Sequence, residues 1–161
     1  MPPHSPVVLL ESKDISLFIP ALREIDLGDR FLLSMLHWCG IGKRSTSLDY
    51  WQVFLLRQLT ETVGICGLYR QPGMDKSILW LGWLGIRPQF QRQGLATNTV
   101  QQLIALAQQQ GVRQLWVYTD APNDPAQRLY ERLGFERMGS AAQCTPGKTM
   151  NDSDIVFRHF I

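Results

Sequence analysis

Ile86-Arg87-Pro88-Gln89-Phe90-Gln91-Arg92-Gln93-Gly94-Leu95-Ala96-Thr97 is the stretch from which the fold can be read. The residues before it, Ile78 to Ile86, form an apolar run that reads as a buried strand. Pro88 ends that strand, because proline has no N–H for a ladder. Gln91 to Ala96 then reads as a tight turn into a helix that starts near Leu95. The first N–H groups of a helix have no internal acceptor, and the helix dipole adds partial positive charge there. Gly94 can take φ > 0 and lets a ligand approach the backbone. A strand, a glycine turn and a helix N-terminus together form a seat for an anion, most naturally a diphosphate. Each hydrogen bond to a charged oxygen contributes roughly 1.5–3 kcal/mol, so three or four hold such a group with few charged side chains. Arg87 and Arg92 are expected to add long-range attraction. An ordinary helix start after a proline turn fits the same residues. A single glycine excludes both the dinucleotide-binding fingerprint and the P-loop.

Outward from this stretch, Leu95 to about Gln110 has helical spacing. Ala96, Val100, Leu103, Ile104 and Ala107 share one face, glutamines line the other, and Gly111 ends the helix. Gln114 to Thr119 reads as a strand. Asp124 is expected to cap a helix, with Pro125 first inside it, running to Leu133 and closed by Gly134 with Phe135 packed back on it. Phe135 to Ala142 and Asp154 to Phe160 read as a closing antiparallel pair around the polar loop Thr145 to Ser153. Upstream, Tyr50 to Leu56 and Val63 to Tyr69 form a hairpin about Thr60-Glu61-Thr62, and Gln71 to Asp75 is a second turn. Gly82 and Gly85 within the Ile78–Ile86 run suggest a bulge or a close backbone approach. Val7 to Leu10 reads as a short strand. Ile15 to Leu22 reads as a strand at an edge or bulge because of Pro20, and Asp26 is expected to cap a helix to about Trp38. Residues 1–6 read as a loose arm. The order predicts one α+β domain, with one helical crossover between parallel strands, the one that starts at Gly94.

The 161 residues suit a single domain with its own core. The formal net charge of +2 and the absence of a clustered basic face argue against nucleic acid as a partner. Cys39, Cys66 and Cys144 are three, widely spaced and without a CxxC, which argues against a disulfide framework or a zinc site. Cys39 and Cys66 are expected in the core. No metal is implied. The first ten residues lack a basic leader with a long apolar stretch, and no run is long enough to span a membrane, so the expectation is a cytoplasmic protein.

Two motifs in order resemble the GNAT N-acetyltransferase superfamily. Gln91-Arg92-Gln93-Gly94-Leu95-Ala96 is similar to the family's Q/R-x-x-G-x-G/A loop. Asn123, Ala126, Leu129-Tyr130 and Leu133-Gly134-Phe135 are similar to its N-x-x-A-x-x-L-Y-x-x-x-G-F segment. With the preceding strand they cover residues 78–139. The resemblance implies a mixed, mostly antiparallel twisted sheet flanked by helices, with a splayed parallel pair. It implies acetyl-CoA as co-substrate and an amine acceptor, and either a monomer or a homodimer. Backbone groups of Leu84 and Ile86 would pair with the pantetheine arm. Those of Gln91, Arg92, Gln93, Gly94, Leu95, Ala96 and Thr97 would hold the diphosphate. Asn123 would contact the pantetheine, and Tyr130 would sit near the thioester sulfur. A tyrosine hydroxyl, with a reference pKa of about 10, can protonate or hydrogen-bond a departing thiolate of pKa about 8.5. Tyr130 also fits a core aromatic, and Asn123 a helix cap.

The pattern departs from the family in one place. Many members carry a glutamate on the strand that here reads Ile78 to Ile86, which has no acid; Trp80 stands at one common glutamate position. Asp75, Glu61, His37 and Tyr118 remain as alternative bases. Trp80 and Trp83, three apart in an extended strand, would face opposite sides, one of them toward an acceptor or both into the core. The turn and residues 113–135 resemble N-terminal acetyltransferases of ribosomal proteins. A non-catalytic acyl-CoA-binding or regulatory domain on the same fold is the alternative reading.

Overall fold

The computed structural model describes residues 6–25, 48–144 and 151–161. Within them, seven strands form one sheet in the order β1-β2-β3-β4-β5-β7-β6. The strands are β1 Val8–Glu11, β2 Tyr50–Gln58, β3 Glu61–Arg70, β4 Ile78–Ile86, β5 Gln114–Thr119, β6 Glu136–Ser140 and β7 Ile155–Phe160. The helices are α1 Ile19–Leu22, α2 Leu95–Gln109, α3 Asp124–Arg132 and α4 Ala141–Cys144. The β4–β5 pair is parallel, with Ile78 opposite Gln114, Leu79 opposite Leu115 and Trp80 opposite Trp116. The β1–β2, β2–β3, β5–β7 and β6–β7 pairs are antiparallel. This is the mostly antiparallel sheet with one parallel pair that the motif resemblance implied.

The chain divides into two compact units. One lies within Met1–Met74 and Leu81–Leu103, the other within Asp75–Trp80 and Ile104–Ile161. The division falls inside β4 and inside α2.

In the first unit, β2 and β3 carry the core, with Val53, Leu56, Val63, Ile65, Cys66 and Leu68 all fully or nearly fully buried. Near-continuous burial, rather than alternation, marks strands covered on both faces. Cys66 is a core residue as expected, and burial pushes its thiol pKa up. Cys39 and the expected Asp26–Trp38 helix lie outside the described residues. The hairpin turn is Leu59-Thr60 rather than Thr60-Glu61-Thr62. Leu59 takes φ +54 and is 82% exposed. Arg57 staples the turn, donating to the Thr60 carbonyl at 2.7 Å and to Thr62 Oγ1 at 3.2 Å.

Ile15 to Leu22 is not a strand. It is a 3-10 turn, Ile15–Leu17, followed by α1. Asp14 caps the turn, accepting from Ser16 N at 3.0 Å, and Pro20 falls in the first turn of α1, where its missing N–H costs nothing. The buried residues Phe18, Ala21, Leu22 and Ile25 follow helical, not alternating, spacing. β1 is tied to α2 by side chains: Asn98 Oδ1 accepts from Val7 N at 3.2 Å, and Gln102 Nε2 donates to Val7 O at 2.6 Å.

In the second unit, Leu115, Val117, Val156 and Phe157 form the sheet's core. Gly111, at φ +74, ends α2, and Val112 N donates to Ala107 O at 3.1 Å. β6 stops at Ser140, and residues Ala141–Cys144 are helical rather than extended. Residues 145–150 of the expected loop lie outside the described set.

Gly64 is where backbone approaches backbone: a Cβ there would lie 2.3 Å from the Gly85 carbonyl oxygen. Gly64→Ala is therefore expected to destabilise the protein by at least the 1–3 kcal/mol typical of overpacking, read as a lower urea midpoint at unchanged slope.

Candidate functional site

The residues singled out in the sequence fall in both compact units. In the first unit, β4 runs toward the turn but is interrupted. Trp83 has φ +56, a left-handed conformation that is a genuine outlier for a bulky side chain. The irregularity thus sits on Trp83, not on the glycines beside it. Gly85 answers to the other expectation, close approach: a Cβ there would meet Ile25 Cγ2 at 2.8 Å. Because alternation does not carry across a left-handed residue, the expectation that Trp80 and Trp83 face opposite sides loses its basis. In the second unit, Trp80 is 2% exposed, packed edge-on to Trp116 and Tyr118 at 5.4 and 6.1 Å. Trp83 and Leu84 are half-buried.

Past β4, Pro88–Phe90 forms a 3-10 turn. Gln91 N donates to Pro88 O at 3.2 Å, and Gln91 Nε2 to Ile86 O at 3.0 Å. Arg92 and Gly94 then take φ +62 and +76, and α2 begins at Leu95, as expected. A Cβ on Gly94 would meet nothing within 4 Å. Packing therefore does not demand glycine here; the left-handed backbone conformation favours it. The Gly94 carbonyl accepts from Asn98 N at 3.0 Å, so the N–H groups of Leu95, Ala96 and Thr97 occupy the helix positions without intrahelical acceptors. Thr99 Oγ1 donates back to Leu95 O at 2.8 Å in the buried face of the same turn.

Arg87 does not play its expected part. Its guanidinium forks onto Glu24, Nε at 2.6 Å and Nη2 at 2.9 Å, while Nη1 donates to Thr62 O at 2.7 Å. Hydrogen bonds from Arg87 and Gln89 hold the Glu24 carboxyl below its ordinary range, and Glu24 in turn raises the Arg87 pKa. A cation neutralised in this way adds little long-range attraction for an anion. Arg92 is exposed. Glu24 and Gln89 escaped the sequence analysis because 63 and 65 residues separate Glu24 from its two partners and no local pattern joins them.

In the second unit, the N-cap of α3 is Asn123, not Asp124. Asn123 Oδ1 accepts from Ala126 N at 3.3 Å, which places Asp124 and Pro125 inside the first turn. Asn123 is exposed. Gln127, 7% exposed, holds the preceding loop through a 2.7 Å bond from Nε2 to Ala121 O, and its Oε1 accepts from Arg137. Gly134 has φ +86 and Phe135 N donates to Tyr130 O at 3.0 Å, closing the helix as expected. Tyr130 is 5% exposed, its ring 5.4 Å from Phe135 and 5.9 Å from Phe157.

Among the alternative bases, Tyr118 is weakened. Burial first, then the charges of Asp154 and Asp120, push its hydroxyl pKa up, which favours the neutral phenol. Asp75 is exposed and accepts from Ser77 N at 2.8 Å as a turn residue before β4, and Glu61 is exposed at the start of β3. His37 lies outside the described residues. No group of three or more His, Cys, Asp or Glu able to hold a metal occurs among the described residues.

Residues 21–135 match the family model described as Acetyltransferase (GNAT) family. The chain is 40% identical over 52 residues to the ribosomal protein bS18-alanine N-acetyltransferase of Escherichia coli. That match spans 32% of this chain and only 35% of the relative's length. The crystal structure of the ribosomal-protein-S18-alanine N-acetyltransferase from Escherichia coli superposes with a TM-score of 0.69 at 21% identity, covering 96% of this chain and 92% of that one. A Bacillus subtilis acetyltransferase in complex with CoA gives 0.67 at 13% identity, with 97% and 98% covered. At such identities the likeness to the two structures is one of fold.

The Glu24 ion pair makes a pH prediction. A carboxyl with a lowered folded pKa contributes stability that is complete above its unfolded value, about 4.3, and is lost as pH falls through the folded value. The melting-temperature gap between wild type and Glu24→Gln is therefore expected to be constant at neutral pH and to close in acid.

Proposed function

Because the chain belongs to the acetyltransferase (GNAT) family, we propose that it moves an acetyl group from acetyl-CoA directly to a primary amine of a small molecule or a protein N-terminus. The observation that carries this reading is the turn at residues 91–97. Two left-handed residues lead into a helix N-terminus, and open space lies where a Gly94 side chain would point. Backbone N–H groups from Gln91 to Thr97 would take the diphosphate. Leu84 and Ile86 would offer backbone groups to the pantetheine arm, at the strand end where Gln91 Nε2 donates to the Ile86 carbonyl. Asn123 would serve the same arm through its amide nitrogen, since its oxygen caps α3.

In the reaction, the neutral amine attacks the thioester carbonyl carbon, the C–N bond forms and the C–S bond breaks. Tyr130 gives its proton to the departing thiolate, and the proton lost by the acetylated nitrogen passes to water, from which the Tyr130 phenolate is reprotonated. A strand N–H would polarise the carbonyl.

With no acid on β4 and a neutral Tyr118, the acceptor must arrive with little help in losing its proton. A lysine amine of pKa about 10.4 costs about 4.6 kcal/mol to deprotonate at pH 7, and an α-amine of pKa about 8 only about 1.4 kcal/mol. This favours α-amines, and the 52-residue likeness to a protein-alanine N-acetyltransferase agrees in kind. The single domain expected from chain length and a cytoplasmic location complete the proposal. The acid-free β4 also favours a second reading, a non-catalytic acyl-CoA-binding domain.

Acetyl-CoA at 100 times its Kd is expected to add about 2.7 kcal/mol of stability, seen as a raised melting temperature that Gly94→Asp abolishes. In thiol-release assays, peptides with free α-amines are expected to outpace lysine side chains. Tyr130→Phe is expected to lower kcat about 100-fold. Binding without thiol release on any amine would favour the second reading, and no melting shift would overturn both.

A further inference from the structure

We propose that Glu24, acting through Arg87, is a positioning residue for the turn at 91–97, and that it strengthens CoA binding although it carries the same charge sign as the ligand. The proposal rests on the donor-site reading given above. The end of α1 meets the end of β4 twice. Ile25 packs where Gly85 has no side chain, its Cγ2 2.8 Å from the position a Cβ would take. Next to it, the Glu24 carboxylate accepts both Arg87 Nε and Nη2, at 2.6 and 2.9 Å, and Gln89 Nε2 at 3.2 Å. Two residues on either side of Pro88 are thereby fixed to one carboxylate. Arg87 is held from three further directions: Nη1 to Thr62 O at 2.7 Å, backbone N to Val63 O at 2.8 Å, and guanidinium carbon 5.5 Å from the Phe90 ring centre. Phe90 N returns to Arg87 O at 2.9 Å. Every residue from Arg87 to Gln91 is thus tied down immediately before the chain enters the left-handed pair Arg92 and Gly94.

The pair is partly exposed, with side-chain exposures of 21% for Arg87 and 43% for Glu24. Exposed ion pairs contribute little to global stability. A bidentate fork contributes direction, since its two parallel bonds fix the guanidinium plane. Its larger consequence is therefore expected in the geometry of the turn, beside a small change in melting temperature.

Charge alone predicts the opposite of positioning, which makes the test one of sign. Deleting Glu24 removes a negative charge and frees a positive one near an anionic ligand, so simple electrostatics predicts tighter binding. Positioning predicts weaker binding. CoA affinity is measured by calorimetry for wild type, Glu24→Ala, Glu24→Gln, Arg87→Lys, Arg87→Ala and the Glu24→Ala/Arg87→Ala double variant, with melting temperatures as the folding control. The expected result is a Kd raised at least fivefold in Glu24→Ala, less in Glu24→Gln, and raised in Arg87→Lys despite its retained charge. The double variant is expected to bind no worse than Arg87→Ala, because the two residues act as one unit. Unchanged or tighter binding by Glu24→Ala and Glu24→Gln would overturn the positioning role and leave the donor site standing. Wild-type protein that does not bind CoA would overturn the donor site, and the positioning role with it.

Discussion

A parallel pair of strands cannot be closed by a hairpin; its second strand needs a crossover of a dozen or more residues. That constraint governs the centre of this chain. β4 and β5 run parallel through Ile78–Trp80 and Gln114–Trp116, and the crossover between them is α2. The crossover must leave the carboxyl end of β4, so a helix N-terminus, with its unpaired N–H groups, follows that end by a few residues. The helix start proposed above to seat the diphosphate is thus a by-product of topology. What the particular sequence adds is a backbone that turns left-handed at Arg92 and Gly94 and a scaffold that holds the approach to it.

The local signals in the sequence were sound where a residue acts through its own backbone. Gly94, Gly111 and Gly134 each take positive φ where a turn or helix end was expected, and the spacing of Val100, Leu103 and Ala107 marks the buried face of α2. Reading failed where two periodicities overlap. Ile15 to Leu22 is too short to separate alternation from a helical turn, and the capping oxygen of Asp14 decides the matter. At the start of α3 two adjacent capping residues compete, and Asn123 wins, leaving Asp124 to favour the helix dipole from inside the first turn. The left-handed Trp83 has no sequence signal, because tryptophan is among the residues least suited to that conformation. The Glu24–Arg87 fork was invisible for a different reason: it joins residues 63 apart, and charge patterns reveal partners only at helical or cross-strand spacing.

The chemistry of the candidate site is consistent across its parts. An apolar β4 offers no carboxylate to take a proton, and the group nearest in kind on β5, Tyr118, is kept neutral by burial and by two acids. Tyr130 is likewise buried, between Phe135 and Phe157. The raised pKa keeps Tyr118 a proton donor rather than an acceptor. An acid-free β4 and a neutral Tyr118 are the features on which the proposed preference for weakly basic amines rests.

The two bonds from Val7 to Asn98 and Gln102 close loops of 91 and 95 residues. At a synthesis rate of about 5–20 residues per second, β1 emerges roughly 5–20 seconds before the helix that will hold it. During that interval the side chains of Val8 and Leu10, still 58% and 46% exposed in the finished fold, have β2 as their neighbour in the sheet. The amino-terminal strand is thus the first part of the described chain to be made and among the last to be secured, and its final lock is the helix that grows from the turn at Gln91–Gly94.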